Sequence, residues 1–183
     1  MKTLAQLRVE IDAVDQQLLA LLNQRASLAH EVGEVKKIDG SPVFRPDREA
    51  QVIAKMQAAG GALKSDGVAA IWREIMSACR ALEETQRVAF LGPKGTYSED
   101  AAIEFFGSSM GQLPCQSIDE VFRATSSGAA EFGVVPIENS TEGVIARTMD
   151  LLLASNVHIV GNVSLMVRSS RIFFAISVTS SVA

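Results

Sequence analysis

Position 25 breaks an otherwise regular apolar series, and it holds an arginine. Leu4, Leu7, Ile11, Val14, Leu18, Leu21, Leu28, Val32 and Val35 follow alternating three- and four-residue steps, the seam of a long amphipathic helix packed on other helices. The missing member of the series is Arg25. A charge on such a seam is costly unless an opposite charge meets it there. Arg8 and Lys36 each sit one residue past a seam position, beside Leu7 and Val35. Three cations along one apolar stripe suggest an anion held between helices. An ion pair between Arg25 and a carboxylate of a neighbouring helix is the plainer alternative, and the spacing leaves both open. Further along, Arg48 stands next to Glu49, and Cys79 and Glu83, four apart, share one helix face. Their plain readings are a solvated first turn and an exposed helix end.

Two strings later in the chain combine glycine with polar side chains. GPKGTYS, Gly92 to Ser98, follows the apolar run Val88 to Leu91, so backbone amides at a helix start can face an anion there. Thr96, Tyr97 and Ser98 are its candidate side chains. A nucleotide phosphate loop needs a longer loop with lysine directly after the last glycine, and that is missing. PIENSTEG, Pro136 to Gly143, puts Glu138, Asn139, Ser140 and Thr141 just past a predicted strand, the edge where open α/β sheets bind ligands. A capping cluster for the next helix is the plainer reading. His30 and His158 lie outside both strings, so no Ser-His-Asp or Cys-His set forms.

The elements that must position these residues fall into two parts. The seam predicts one helix over about residues 3–38, ended by Asp39-Gly40-Ser41-Pro42. A second helix starts at Pro46, a favoured first-turn residue, and ends before Gly60-Gly61. A third follows Ser65 as N-cap and runs to about Thr85, with Val68, Ile71, Ile75, Ala78 or Cys79, and Leu82 as its apolar stripe. Three helices joined by short loops make an all-helical unit. One chain leaves much of so long a seam uncovered, and dimerisation is the economical remedy. From Val88 the pattern alternates: a strand, a helix closed by Gly107, a helix from Ser117 to Gly128, a strand over Phe132 to Pro136, a helix over about Glu142 to Ala154, then strands near Val157 to Val160 and Val163 to Val167. That order predicts an α/β layer with parallel strands.

Composition excludes several classes. Of 183 residues, 48% are hydrophobic and 21% charged, a core-forming mixture. A net charge of −4 argues against nucleic acid as partner. Cys79 and Cys115 are too few for a disulfide framework and lack metal-ligand spacing. No metal and no cofactor are expected. Lys2 is followed by no apolar signal region before Glu10 and Asp12, and Ile172 to Val178 is too short to span a bilayer. The expected setting is the cytoplasm, away from membranes.

LRVEIDAVDQQLLALLNQRASLAHEVGEVK, with PVFRPDREAQV after it, resembles the all-helical chorismate mutase fold. FLGPKGTYSEDAA and GVVPIENSTEG resemble the opening of a prephenate dehydratase. The order of the two is similar to that of the bifunctional chorismate mutase–prephenate dehydratases of phenylalanine biosynthesis. The resemblance implies a three-helix mutase domain over 1–86, an intertwined dimer with shared active sites. It also implies a partial, periplasmic-binding-protein-like dehydratase lobe over 87–183. Arg8, Arg25 and Lys36 match the family's chorismate-binding cations, Arg48 and Glu49 its second-helix pair, with Glu49 accepting the substrate hydroxyl. Glu83 stands where many relatives have Gln, Cys79 where some have Ser, and Arg45 where some have an acid. Thr96, Tyr97, Ser98 and Glu138 to Thr141 are the matching residues of the dehydratase lobe.

The implied chemistry suits these residue types. Chorismate rearranges to prephenate in one concerted step that needs neither nucleophile nor proton transfer. The site must hold two carboxylates, fold the side chain over the ring and stabilise charge growing on the ether oxygen. Arginine suits carboxylates because its planar fork bonds twice. Lys36 suits the ether oxygen as a compact charge. Glu83 can help there only when protonated, because an ionised carboxylate donates nothing.

After about Leu165 the resemblance fades into MVRSSRIFFAISVTSSVA. The expectation is a truncated or frame-shifted chain whose dehydratase activity is lost, with a divergent edge strand as the plain alternative. Two competing expectations remain: an enzyme that also converts prephenate to phenylpyruvate, and a non-catalytic helical dimerisation module carrying half a binding lobe.

Overall fold

The structure, a computed structural model, describes residues 1–141, 143–167 and 170–179. Helix α1 spans Leu4–Asp39, 36 residues or about 54 Å at 1.5 Å per residue. Thr3 starts it with a capping box, exchanging hydrogen bonds with Gln6. Gly40 ends it at φ 74°, a left-handed turn that favours glycine. Helix α3, Ser65–Glu83, folds back against it, and α2, Pro46–Ala59, packs against α3. Ser65 is the first residue of α3 and Lys64 its N-cap, one residue earlier than the sequence suggests and without a side-chain cap.

The buried face of α3 also differs from the expected stripe. Val68, Met76, Ser77, Cys79 and Arg80 are buried, while Ile71, Ala78 and Leu82 are exposed. The helix is packed on two sides, against α1 and α2 and against the α/β layer. A single apolar stripe therefore does not describe it.

The second part is a six-stranded sheet of order β2-β1-β3-β6-β5, with the short β4 paired to β3. The strands are β1 (Arg87–Leu91), β2 (Gly111–Cys115), β3 (Phe132–Asn139), β4 (Gly143–Val144), β5 (Val157–Val167) and β6 (Ser170–Thr179). Helices α4 (Tyr97–Phe106), α5 (Ile118–Ser126) and α6 (Ala146–Ala154) connect them. Among the described residues the parallel pairs are β1 with β2 and β1 with β3, whereas β6 is antiparallel to both β3 and β5. The sheet is therefore mixed, not the parallel layer the alternation suggests. β2 is short and carries Pro114, and its apolar signal is too weak to read from sequence. The two predicted strands after Val157 are one strand with an irregularity between Ile159 and Gly161.

The segment past Leu165 is not a stray edge. β6 lies between β3 and β5, and its Phe174, Ala175 and Ile176 are almost fully buried. Residues 180–183 of that tail lie outside the described residues.

Strand alternation divides the core between the two faces of the sheet. Val88, Phe90, Val134, Phe174 and Ile176 face α4. Ala89, Cys115, Val135 and Ala175 face α5, with Leu151 and Leu152 of α6 packed alongside. The α4 side includes a residue from the other part of the chain. Phe44, from the α1–α2 loop, is 5% exposed and packs on the rings of Phe105, Phe106 and Phe132.

Candidate functional site

A groove of about 640 Å³ runs between the C-terminal half of α1, the start of α2 and the end of α3. Arg25, Leu28, Val32 and Lys36 line it from α1, Arg48, Glu49 and Val52 from α2, and Met76, Cys79, Arg80 and Glu83 from α3. Val43 and Arg45 close it from the connecting loop. Six of the seven helical candidates thus meet in one place. Arg25 and Lys36 are eleven residues apart, close to three turns, so both point into the groove from one face of α1.

Lys36 is held from two directions. Its Nζ donates to the Val43 carbonyl at 2.8 Å and lies 3.7 Å from the Glu83 carboxylate. An ammonium has three N–H donors, and only the bond to Val43 is made, so two are left for a ligand. Glu83 has an 8% exposed side chain, and its Oε2 is buried without a hydrogen bond. A buried oxygen without such a partner costs free energy, and a ligand that bonds there recovers it. Glu49 forms an ion pair with Arg80. Burial pushes the Glu49 carboxyl above its ordinary value, opposed first by Arg80 and then by Arg25 and Lys36. Arg45 donates to Asp47 through Nε at 3.1 Å and Nη2 at 3.0 Å, so it brings no free charge to the groove.

Arg8 is elsewhere. Seventeen residues before Arg25 on one straight helix, it is roughly 25 Å away. Between them Ile11, Val14, Leu18 and Leu21 lie open to solvent.

Three participants are missing from the sequence reading. Gly33 is the only buried residue of α1, because a Cβ there would sit 2.8 Å from Glu83 Cγ and 3.0 Å from its Oε2. A glycine inside a helical pattern is the signal that could have found it. Asp47 neutralises Arg45, and Arg80 buries a cation beside Glu49. Neither has a spacing that sets it apart from surface charge.

The dehydratase-type candidates cluster at another edge. β1 and β3 are parallel neighbours, so the loops after them lie at the same end of the sheet. Within the first loop, the Gly95 amide donates to the Glu99 carboxylate and Thr96 Oγ1 to the Leu91 carbonyl at 3.2 Å. Tyr97 is exposed and Ser98 buried. After β3, Asn139 Oδ1 accepts from the Thr141 amide at 3.1 Å and hydroxyl at 2.7 Å. Ser140 clips β3 to β6, its Oγ accepting from the Arg171 amide at 2.9 Å. Glu138 is exposed. These residues do not cap α6, whose N-cap is Ile145. The expected start of that helix, Glu142, lies outside the described residues. Among the described residues no group of His, Cys, Asp and Glu is placed to hold a metal, and no helix is long and apolar enough to cross a membrane.

Comparison with known proteins matches both parts. Residues 7–84 match the family model of chorismate mutase type II, and residues 88–174 match that of prephenate dehydratase. The chain carries a chorismate mutase type II domain followed by a prephenate dehydratase domain. A bifunctional chorismate mutase/prephenate dehydratase of Aquifex aeolicus is 42% identical over 168 residues, 89% of this chain and 46% of that protein. One of Stutzerimonas stutzeri is 46% identical over 167 residues, covering 88% and 46% respectively. The chain spans about half the length of the curated relatives it matches. A prephenate dehydratase structure from Streptococcus mutans superposes with a TM-score of 0.50 at 30% identity, covering 52% of this chain and 50% of that one. The dehydratase match runs past Leu165 to residue 174, into β6.

Proposed function

We propose that the helical part is a cytoplasmic chorismate mutase that works as a symmetric homodimer with two shared sites. The observation that carries this reading is the groove itself. Arg25, Lys36 and Arg48 converge there on Glu49 and Glu83, while Arg8 stands roughly 25 Å along the same helix. Chorismate is far smaller than that span. An antiparallel second copy of α1 would cover the exposed stripe and bring its own Arg8 to the groove. The two free thiols, Cys79 and Cys115, suit a reducing compartment.

In the groove Arg25, Arg48 and Arg8 of the second copy take the two carboxylates. Glu49 accepts the substrate hydroxyl. Lys36 places one of its two remaining N–H groups at the ether oxygen, where negative charge grows as the bond breaks. Glu83 can donate to the same oxygen only as the neutral acid, and its Oε2 is unpartnered there. The enzyme supplies geometry and charge, and the substrate rearranges within itself.

Mixing tests both the activity and the sharing. Arg8→Ala and Arg25→Ala homodimers should each lose turnover, followed as loss of chorismate absorbance. Refolding them together should return activity toward about a quarter of the sites, because a heterodimer has one site with both arginines and one with neither. A mixture as inactive as its parents, with exchange demonstrated, would show that Arg8 does not act across an interface.

A second reading, that the chain also dehydrates prephenate, is favoured by the two polar loops at one sheet edge. Phenylpyruvate released from prephenate above the spontaneous rate supports it, and its absence rules it out.

A further inference from the structure

Arg80 is a cation of the mutase-type groove that is committed to protein partners. Its side chain is 8% exposed, less than the 20% of the Glu49 side chain it pairs with. Nη1 donates to the Glu49 carboxylate, and Nη2 donates to the backbone carbonyl of Phe106, at the end of α4 in the other part of the chain. The guanidinium carbon lies 4.5 Å from the centre of the Phe44 ring, within range of a cation–π contact. That ring is in turn packed into the α/β core.

We infer that Arg80 is a positioning residue, which aims the Glu49 carboxylate at the substrate hydroxyl and is itself held in place by the Phe106 carbonyl of the α/β part. This rests on the mutase reading of the groove and adds a link between the two parts that the reading does not require. A planar fork anchored on a carbonyl and an aromatic face has one orientation left for the carboxylate it grips. The surroundings of Glu49 sharpen the point. Arg25 and Lys36 face it from α1, Arg80 and Glu83 from α3, and Arg45, Asp47 and Arg48 from its own end of α2. Burial favours its protonated form, and Arg80 is the foremost of the groups that oppose this. Losing Arg80 therefore moves the protonation of Glu49 to higher pH, and with it the acid limb of kcat/KM.

The docking surface can be disturbed away from the groove. Gly107, at φ +78°, follows Phe106, and a Cβ there would lie 2.4 Å from Ser77 Cβ on α3. Gly107→Ala should lift the carbonyl from Arg80 without touching a residue of the groove.

The experiment measures kcat and KM for chorismate against pH in the full chain, with thermal melting alongside. For Arg80→Met the expected result is an acid limb raised by about one pH unit and KM raised about tenfold, with kcat reduced far less. Arg80→Lys keeps a charge beside Glu49 and should recover part of the limb shift. Gly107→Ala should raise KM by a smaller factor in the same direction. A lower melting temperature with limb and KM unchanged would make Arg80 a brace only and overturn the inference. If Arg80→Met does not fold, Arg80→Lys decides alone, an unmoved limb and KM counting against the inference. Likewise Phe44→Leu replaces Gly107→Ala if that variant does not fold. If wild type itself leaves chorismate unchanged, the mutase reading fails and this inference with it. If wild type turns over, Arg25→Ala abolishes it and Arg80 variants behave as wild type, only the inference fails.

Discussion

The two parts of this chain treat their apolar residues in opposite ways. In the sheet Val88, Phe90, Val134 and Ile176 are 0% exposed. Along α1 Leu7, Ile11, Val14, Leu18 and Leu21 are 43–62% exposed. The α/β part closes a core on both faces with its own helices and the single ring of Phe44, whereas the long helix offers a stripe that nothing among the described residues covers. Exposed stripes of this extent mark an association surface. The groove lies at one end of that stripe, so in the proposed dimer the side that lacks a partner is also the side that lacks an arginine.

The contrast can be broken at several points. The largest effect should come from Arg25→Ala, which removes a carboxylate's partner in a partly buried groove. Turnover should fall about 10²–10³-fold, read from chorismate absorbance, with melting little changed. A variant that keeps wild-type turnover would place the site elsewhere. Next, Phe90→Ala should cost about 3–5 kcal/mol by opening a cavity in the closed core. Denaturant unfolding should show this loss equally at low and high protein concentration. Leu18→Glu should do the reverse, leaving the α/β core intact and weakening the dimer, so that on dilution it sediments as a monomer and loses activity. Equal responses of the two variants to concentration would erase the distinction drawn between the parts.

Gly33→Ala separates catalysis from folding. Alanine is favoured over glycine in a helix by about 1 kcal/mol, yet its Cβ would meet Glu83 at 2.8 Å. Helix content should hold or rise while kcat/KM drops about tenfold, the effect of a displacement worth about 1.4 kcal/mol. The smallest effect should come from Glu83→Gln, whose amide is a permanent donor at the same buried place. Turnover should stay close to wild type, and a loss as large as that of Arg25→Ala would remove Glu83 as the donor.

Much of this was readable from residues alone where period and punctuation agree. The seam from Leu4 to Val35, with Gly40 behind it, set out α1, and Arg25 stood out because it broke the seam. Pro46 and Gly60 marked α2 for the same reason. What escaped depends on contacts between distant segments. The face of α3 follows from packing on two sides, so Ile71 and Leu82 look like core in sequence and lie on the surface. β6 looked unlike its surroundings because its apolar run is continuous. Burial on both faces of an interior strand produces that pattern. Arg80 was invisible because its meaning comes from Phe106, 26 residues away, and Gly33 because its meaning comes from Glu83.

Phe44 has a consequence for how the molecule comes apart. A ring carried by the loop between two helices fills a hole in the core of the following sheet. The segment 84–86, between the last helix and the first strand, carries the chain from one part to the other but does not hold them together. A protease that nicks this segment should leave two fragments that elute as one particle and melt in one transition. They should separate only in denaturant, when the aromatic plug is pulled from its socket.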